Sequence, residues 1–454
     1  VISAMSQKNI TIVGAGLVGS LLSIYLAKRG HTVHVYERRP DMRSARIPAG
    51  RSINLAMSDR GWRGLERAGI IDEIKKIAIP MTGRMMHDVG GNLTYQPYGD
   101  GDQAINSVSR RDLNITLMNC AENMENVHLH FDERAVDVAL DKPSVEFVHN
   151  VTGIHTTVES DVVIGSDGAF SAIREKIMKT DRCNYSQEYL EHGYKELSIP
   201  PGPNGSFQME KNALHIWARK SFLLIALPNT DGTFTCTLFY PYHGENSFEN
   251  IKTENDVINL FTREFPDALA LMPTLVHDFF TNPTGSLATM RTFPWVWRDK
   301  VALIGDAAHA IVPFYGQGMN CGFEDCVTFA ECLDHHPNDW TAALDEYQRT
   351  RKPNADAIAQ LAINNFVEMR DKVADARFLL RKKIESMMHK EFPAQYVPQY
   401  TLVSFSPDVP YADAYNRGFT NDALLERIMD LPDIENTWNT PQVKNFIADL
   451  LTAS

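Results

Sequence analysis

The chain is poor in cysteine and short of positive charge. Six cysteines, Cys120, Cys183, Cys236, Cys321, Cys326 and Cys332, are scattered over 454 residues with no CxxC pair and no disulfide-framework spacing. That excludes a small disulfide-stapled fold and reads as free thiols in a reducing compartment. A net charge of −13 and a pI near 5.6 argue against nucleic acid or an anionic membrane face as the main partner, leaving room only for a local basic pocket. No apolar run approaches bilayer length and no signal-peptide core stands at the N-terminus, so a cytoplasmic protein without a membrane anchor is expected. The pair His335-His336 lacks further ligands at metal spacing, and no metal site is expected. Internal repeats and low-complexity tracts are absent as well.

What remains is ordinary globular material. With 44% hydrophobic and 22% charged residues, the chain has room for roughly two or three domains. Residues 1–4, ahead of Met5, are set aside as foreign to the fold.

The first motif follows at once. Residues 9–13 (NITIV) form an apolar strand that runs into Gly14, Gly16 and Gly19, and residues 20–29 have helical apolar spacing before Gly30. This is G-x-G-x-x-G between a strand and a helix, which lets a pyrophosphate approach bare backbone at a helix N-terminus. A second strand, 31–36, ends at Glu37, where an acid accepts from a ribose hydroxyl. The motif predicts dinucleotide binding and does not separate FAD from NAD.

Two further strand ends carry an acid beside a glycine. Residues 161–170 (DVVIGSDGAF) place Asp167-Gly168 after a buried strand, and 301–304 (VALI) run into Gly305-Asp306. After Pro313, the series Gly316, Gly318 and Asn320 gives a loop with little side-chain bulk that opens a helix, a setting for a flat, electron-rich ligand. His309 reads as a packed loop histidine. Between these motifs, 81–88 with Arg84 and 95–98 with Tyr98 predict a hairpin around Gly90-Gly91. Arginine and tyrosine brought together there would clamp a carboxylate, or simply pack at the surface. Arg51 is open to the same two readings: a phosphate or carboxylate contact, or a solvated loop arginine. Strands are expected at 127–131, 135–140 and 144–149 as one antiparallel excursion. Short strands between 179 and 287 predict a further antiparallel sheet, and the chain turns helical after 330.

The ordered set Gly14/Gly16/Gly19, Arg110, Asp167-Gly168 and Gly305-Asp306 with GQGMN downstream resembles the single-component, FAD-dependent aromatic hydroxylases over residues 8 to about 330. The segments GRSINLA (50–56), GRMMHD (83–88), YGD (98–100), INSVSRRDLN (105–114), HGYKEL (192–197), ALHIW (213–217), PFYGQGMNCGFED (313–325), NNFVEM (364–369) and FLLRKKI (378–384) are similar to the branch of that family that acts on L-kynurenine. Trp295-Val296-Trp297 is followed by Arg298-Asp299 instead of Ile-Pro, which counts against a flavin halogenase.

The resemblance implies an α/β fold: a Rossmann-like FAD-binding domain (1–80, 100–178 and 288–343), an antiparallel β-sheet substrate domain (81–99 and 179–287) and a C-terminal helical region (344–454). It implies FAD as cofactor, held by Gly14, Gly16, Leu17, Gly19, Glu37, Arg38, Arg110, Asp167, Asp306, Gly318, Met319 and Asn320. It implies a substrate carboxylate held by Arg84 and Tyr98, with Asn365 and Tyr400 completing the pocket, and it places Tyr315 near the flavin. The implied reaction is hydroxylation of L-kynurenine to 3-hydroxy-L-kynurenine by O2 and NADPH through a flavin C4a-hydroperoxide. With a single GxGxxG, NADPH is expected to bind transiently on the same body. A hydroxylase of another aromatic acid is the alternative. An NAD-dependent dehydrogenase would share only the first motif.

Overall fold

The computed structural model describes residues 6–44, 54–99, 103–371 and 376–453. Arg51 and the start of the 50–56 segment lie outside them.

The strand Asn9–Val13 is buried on both faces, as a near-continuous apolar run in a parallel sheet should be. It pairs in parallel with Thr32–Tyr36 on one side and Val162–Gly165 on the other. Val301–Leu303 extends the sheet beyond Val162–Gly165, and the short antiparallel strand Val296–Trp297 closes that edge. The opposite edge is Val127–His130, parallel to Thr32–Tyr36. The chain thus leaves Asn9–Val13 in both directions, which opens a crevice at the C-terminal ends of Asn9–Val13 and Val162–Gly165.

Val127–His130 corrects the expectation of a single antiparallel excursion. Val127 is buried against the core while His128 and His130 take the open face, so the segment completes the parallel sheet. Asp132, at φ 61°, then turns the chain out, and Glu133–Ala139, Ser144–His149 and His155–Glu159 form a separate three-stranded antiparallel sheet.

Helices Leu17–Ala27, Arg110–Glu122 and Gly318–His335 cover the main sheet. They bury Leu21, Leu22, Leu113, Leu117, Phe323 and Val327 against Ile10, Ile12, Val33 and Val35. Each such side chain contributes about 1.5–3 kcal/mol on burial. Close approach depends on small residues: a Cβ on Gly322 would stand 2.5 Å from the Val18 side chain, and one on Gly64 3.1 Å from Phe323.

A seven-stranded sheet faces the crevice, ordered Thr284–Phe293, Asn184–Ile199, Phe234–Pro241, Phe222–Pro228, Ala213–Arg219, Gly83–His87, Leu93–Pro97. The hairpin Gly83–His87/Leu93–Pro97 joins as expected, but through a parallel pairing with Ala213–Arg219. Alternation divides the strands. Phe222, Leu224 and Ala226 pack under helices Glu254–Glu264 and Leu275–Thr281, while Leu223, Ile225 and Leu227 face the crevice. A small sheet of Asn54–Met57, Ile105–Ser109 and Ala78–Met81 bridges the two bodies.

The C-terminal part is helical, with Trp340–Asp371, Ala376–Glu391, Gln399–Ser404, Tyr411–Met429 and Pro441–Ala453 its main helices. No helix among the described residues is long and apolar enough to cross a membrane.

Candidate active site

A cavity of about 950 Å³ lies between the main sheet and the seven-stranded sheet. Its first end is the glycine turn. Gly14 sits at φ +105°, and a Cβ there would fall 2.4 Å from the Ser166 carbonyl oxygen. A Cβ on Gly19 would fall 2.0 Å from the Gly14 oxygen, so the turn, its helix and the neighbouring strand interlock through these two residues. Gly16 differs: a Cβ there would meet no protein atom within 4 Å. The turn therefore presents bare backbone to the cavity at the N-terminus of Leu17–Ala27.

Glu37, only 6% exposed, is fixed beside this turn. One carboxylate oxygen accepts the Ala15 N–H at 3.1 Å, and the other accepts from the Arg39 N–H and Nε at 3.0 and 2.8 Å. Leu17, Arg38 and Arg110 also line the cavity, the last at the start of a helix capped by Ser109.

The two acid-glycine turns face each other across the middle. Asp167 Oδ2 accepts the Ala172 N–H at 2.7 Å, whereas Oδ1 is buried with no hydrogen-bond partner among the described residues. Burial pushes its pKa up. Asp306 turns an exposed carboxylate to the cavity, and Gly305, at φ +61°, lies against Val18. Gly318 and Met319 line the wall beyond. Asn320 does not line it. Its amide accepts from Ser58 N–H and donates to the Ala56 and Gly316 carbonyls, fastening the glycine loop to the strand Asn54–Met57.

At the far end Arg84, Tyr98 and Tyr400 converge. The Arg84 guanidinium carbon is 5.4 Å from the Tyr98 ring and 4.7 Å from the Tyr400 ring. The two phenols stack at 5.6 Å, and Tyr315 also stacks on Tyr400 at 5.6 Å. Arg84 Nε and Tyr98 Oη are buried and have no hydrogen-bond partner among the described residues. Burial holds the Tyr98 phenol well above its ordinary pKa, so it is a neutral donor. Leu214, Ile216, Leu223, Phe239 and Phe314 wall this end. Asn365 stands outside the lining and donates to the Phe314 carbonyl at 2.7 Å. A guanidinium and two phenols converging inside an aromatic wall, with Arg84 Nε and Tyr98 Oη lacking a partner among the described residues, suit a flat ligand that carries a carboxylate.

The structure adds residues that sequence reasoning passed over. Asn114 donates to the Ala15 carbonyl, and its own Oδ1 is buried without a partner among the described residues. Behind the Gly-Asp turn, Asp325 accepts from Gly305 N–H at 3.2 Å, from His309 Nε2 at 2.6 Å and from Arg351 Nε at 2.6 Å. Arg351 also reaches Glu324, which pairs with Arg60 at 2.8 Å, and Arg60 donates to the Val403 and Leu402 carbonyls. The adjacent acids Glu324 and Asp325, set between Phe323 and Cys326-Val327, were the available signal: a charge in a buried helix needs a partner.

Parallel sheet, crevice and two-ended cavity define a flavoprotein monooxygenase of the aromatic hydroxylase fold. The family model described as FAD binding domain matches residues 7–362. Among solved structures, 2-methyl-3-hydroxypyridine-5-carboxylic acid oxygenase aligns with a TM-score of 0.67 at 18% identity, over 85% of this chain and 98% of its own. P. aeruginosa PqsL, solved with 2-aminobenzoylacetate, aligns at 0.65 and 20% identity, over 81% and 97%. Kynurenine 3-monooxygenase of Flavobacterium johnsoniae is 49% identical over 97% of this chain and 98% of that protein. The Myxococcus xanthus enzyme of the same name is 50% identical over 96% and 94%, and that of Dictyostelium discoideum 46% over 98% and 97%. The chain belongs to the kynurenine 3-monooxygenase family.

The residues present fit FAD. Gly16 leaves open the space a Cβ would fill, the cavity-lining Asp167 keeps a buried acceptor oxygen with no partner among the described residues, and the lining runs from the glycine turn to Arg84.

Proposed function

We propose that this enzyme hydroxylates L-kynurenine to 3-hydroxy-L-kynurenine, consuming NADPH and O2, with FAD as its cofactor. Gly14, Gly16, Leu17, Gly19, Glu37, Arg38 and Arg110 hold the dinucleotide end of FAD. Asp167 and Asp306 accept from its central hydroxyls, and Gly318, Met319 and Asn320 set the wall against its ring. Bound FAD supplies the redox and oxygen chemistry, carrying electrons from NADPH to O2 and one oxygen atom to the substrate ring.

The protein's own part is to bind, orient and exclude water. Arg84 and Tyr98 hold the amino-acid carboxylate, Tyr400 closes over the guanidinium, and Asn365 positions Phe314 through its carbonyl. Charge-assisted hydrogen bonds of this kind are worth about 1.5–3 kcal/mol each. The aromatic and aliphatic wall keeps the reacting ring dry. The observation that carries the reading is the pair of buried, unpartnered donors Arg84 Nε and Tyr98 Oη at the far end of the cavity.

The same reading divides the chain into an FAD-binding domain (1–80, 100–178 and 288–343), a substrate sheet (81–99 and 179–287) and a C-terminal helical region (344–454), although the strand Thr284–Phe293 of the seven-stranded sheet crosses the 287/288 bound. Its six cysteines are free, which suits a reducing cytoplasm. Product analysis after turnover with NADPH and L-kynurenine tests the function: 3-hydroxykynurenine should accumulate in step with NADPH oxidation. A panel of aromatic acids that outperformed L-kynurenine would reassign the substrate.

A further inference from the structure

Three histidines stand together on the open face of the main sheet; none lines the cavity, and the nearest to it, His130, stacks on the lining residue Tyr36 at 4.4 Å. His34 lies on Thr32–Tyr36 and His128 and His130 on the neighbouring strand Val127–His130, with His34 opposite His128 in register and Tyr36 opposite His130. Alternation puts all three on one face, while Val33, Val35 and Val127 fill the core behind them. His34 Nδ1 and His130 Nε2 are 3.1 Å apart. The His128 ring is centred 4.8 Å from that of His34, tilted by 34°, and is exposed, so it can rotate without disturbing the core. The three-stranded sheet packs over the Tyr36 end of this face, where Phe147 stacks on Tyr36 at 4.2 Å.

We propose that His34, His130 and His128 form a binding site for a single borderline divalent ion of the Zn2+ or Cu2+ type, which nothing in the hydroxylation chemistry requires. Two imidazole nitrogens bonded to one tetrahedral zinc at about 2.0–2.1 Å stand about 3.3 Å apart, close to the His34–His130 separation already present. An ion can therefore replace the shared proton with little backbone movement, His128 supplies a third nitrogen by side-chain rotation, and water completes the shell. Imidazole sets select zinc, copper and nickel over magnesium and calcium. Burial and the mutual proximity of the rings hold His34 and His130 below their ordinary pKa, so the neutral, ligating form prevails at pH 7.

The other clusters fit an ion less well. His309, Cys321 and Asp325 bring their ligand atoms within 4.8 Å of one another, but the Arg351 guanidinium already bonds both the carboxylate and the sulfur. His335 and His336 both pair with the one carboxylate of Glu346, an exposed arrangement that serves as the competing site in the test.

Tag-free, FAD-loaded protein titrated with Zn2+ by calorimetry should bind a single ion saturably. With Cu2+, electron paramagnetic resonance should show nitrogen superhyperfine structure from at least two imidazoles. Zinc should raise the thermal midpoint by tying the edge strand Val127–His130 to its neighbour Thr32–Tyr36. His130→Gln and His34→Gln should abolish saturable binding and the thermal shift, and His128→Gln, at an exposed position, should weaken both. An oxygen-only copper spectrum of the unmodified enzyme would overturn the proposal. So would zinc binding that survives His128→Gln and His130→Gln unchanged, or that is lost in His336→Gln.

Discussion

Arg351 donates from Nε to Asp325 Oδ1 across 2.6 Å, and both side chains are almost wholly enclosed. The other oxygen of the same carboxylate takes the N–H of Gly305, the residue before Asp306. One buried ion pair thus ties the long C-terminal helix Trp340–Asp371 to the turn that presents an acid to the cofactor cavity. Asp325→Asn would leave the Arg351 Nε facing a neutral amide, with Glu324 as its remaining buried carboxylate, and should cost about 1.5–3 kcal/mol, the usual worth of a hydrogen bond to a charged group. Denaturant unfolding of the FAD-loaded enzyme measures it, and FAD should be released earlier in the same titration.

The same carboxylate sets an acid limit on stability. Burial pushes the Asp325 pKa up, but the charges of His309 and Arg351 outweigh it and bring the value from 3.8 to about 2. Because the folded-state value is the depressed one, the stabilisation is fully present above the ordinary carboxylate pKa and is lost as pH falls from about 4 toward 2. Thermal midpoints across that window should fall more steeply for the parent enzyme than for Asp325→Asn.

Gly16 and Gly19 belong to one motif and should fail differently. A Cβ on Gly19 would collide with the Gly14 carbonyl oxygen at 2.0 Å, so Gly19→Ala should destabilise the fold itself. A Cβ on Gly16 meets no protein atom within 4 Å, so Gly16→Ala should fold with an unchanged thermal midpoint as apoprotein and lose FAD affinity. Flavin absorbance after gel filtration, set beside the apoprotein melting curve, separates the two outcomes.

Asn320 makes its contribution from behind the wall. Its amide pairs with Ser58 N–H, the Ala56 carbonyl and the Gly316 carbonyl, all within 2.9 Å. Asn320→Ala leaves these groups unpaired inside the protein, each at a cost of about 1–3 kcal/mol. Loss of stability together with a mobile 316–319 loop should appear as faster flavin release, followed by its fluorescence.

Much of this architecture was legible because backbone demands leave marks in sequence. Gly14 and Gly19 are glycine because a Cβ has no room, and the strand-end pairs Asp167-Gly168 and Gly305-Asp306 announce where chain and ligand meet. The hairpin bearing Arg84 and Tyr98 was readable from its turn glycines, although its parallel pairing to Ala213–Arg219 was not. Pairing partners far apart in sequence leave no local periodicity. Val127–His130 went to the wrong sheet for the same reason: four residues alternate alike in a parallel edge and an antiparallel meander. The Arg60–Glu324–Arg351–Asp325 network was invisible because its partners come from three helices spread over 292 residues and only the fold brings them together.

Tyr98 offers the sharpest test of the substrate end. Its hydroxyl is buried without a hydrogen-bond partner among the described residues, and a buried unpaired hydroxyl costs about 1–3 kcal/mol. Tyr98→Phe removes that cost while keeping the ring that stacks on Tyr400 at 5.6 Å. The variant should therefore be slightly more stable than the parent when free of substrate, and should bind L-kynurenine about tenfold more weakly because one donor to the carboxylate is gone. Arg84→Lys should lower affinity further, by about 10- to 100-fold, since an ammonium cannot reproduce the planar fork of a guanidinium. Both should retain FAD, because neither side chain lies at the glycine-turn end of the cavity. Substrate-free melting curves and substrate titrations of flavin absorbance measure the two effects separately. A Tyr98→Phe enzyme that was less stable and bound L-kynurenine normally would mean the phenol serves packing alone.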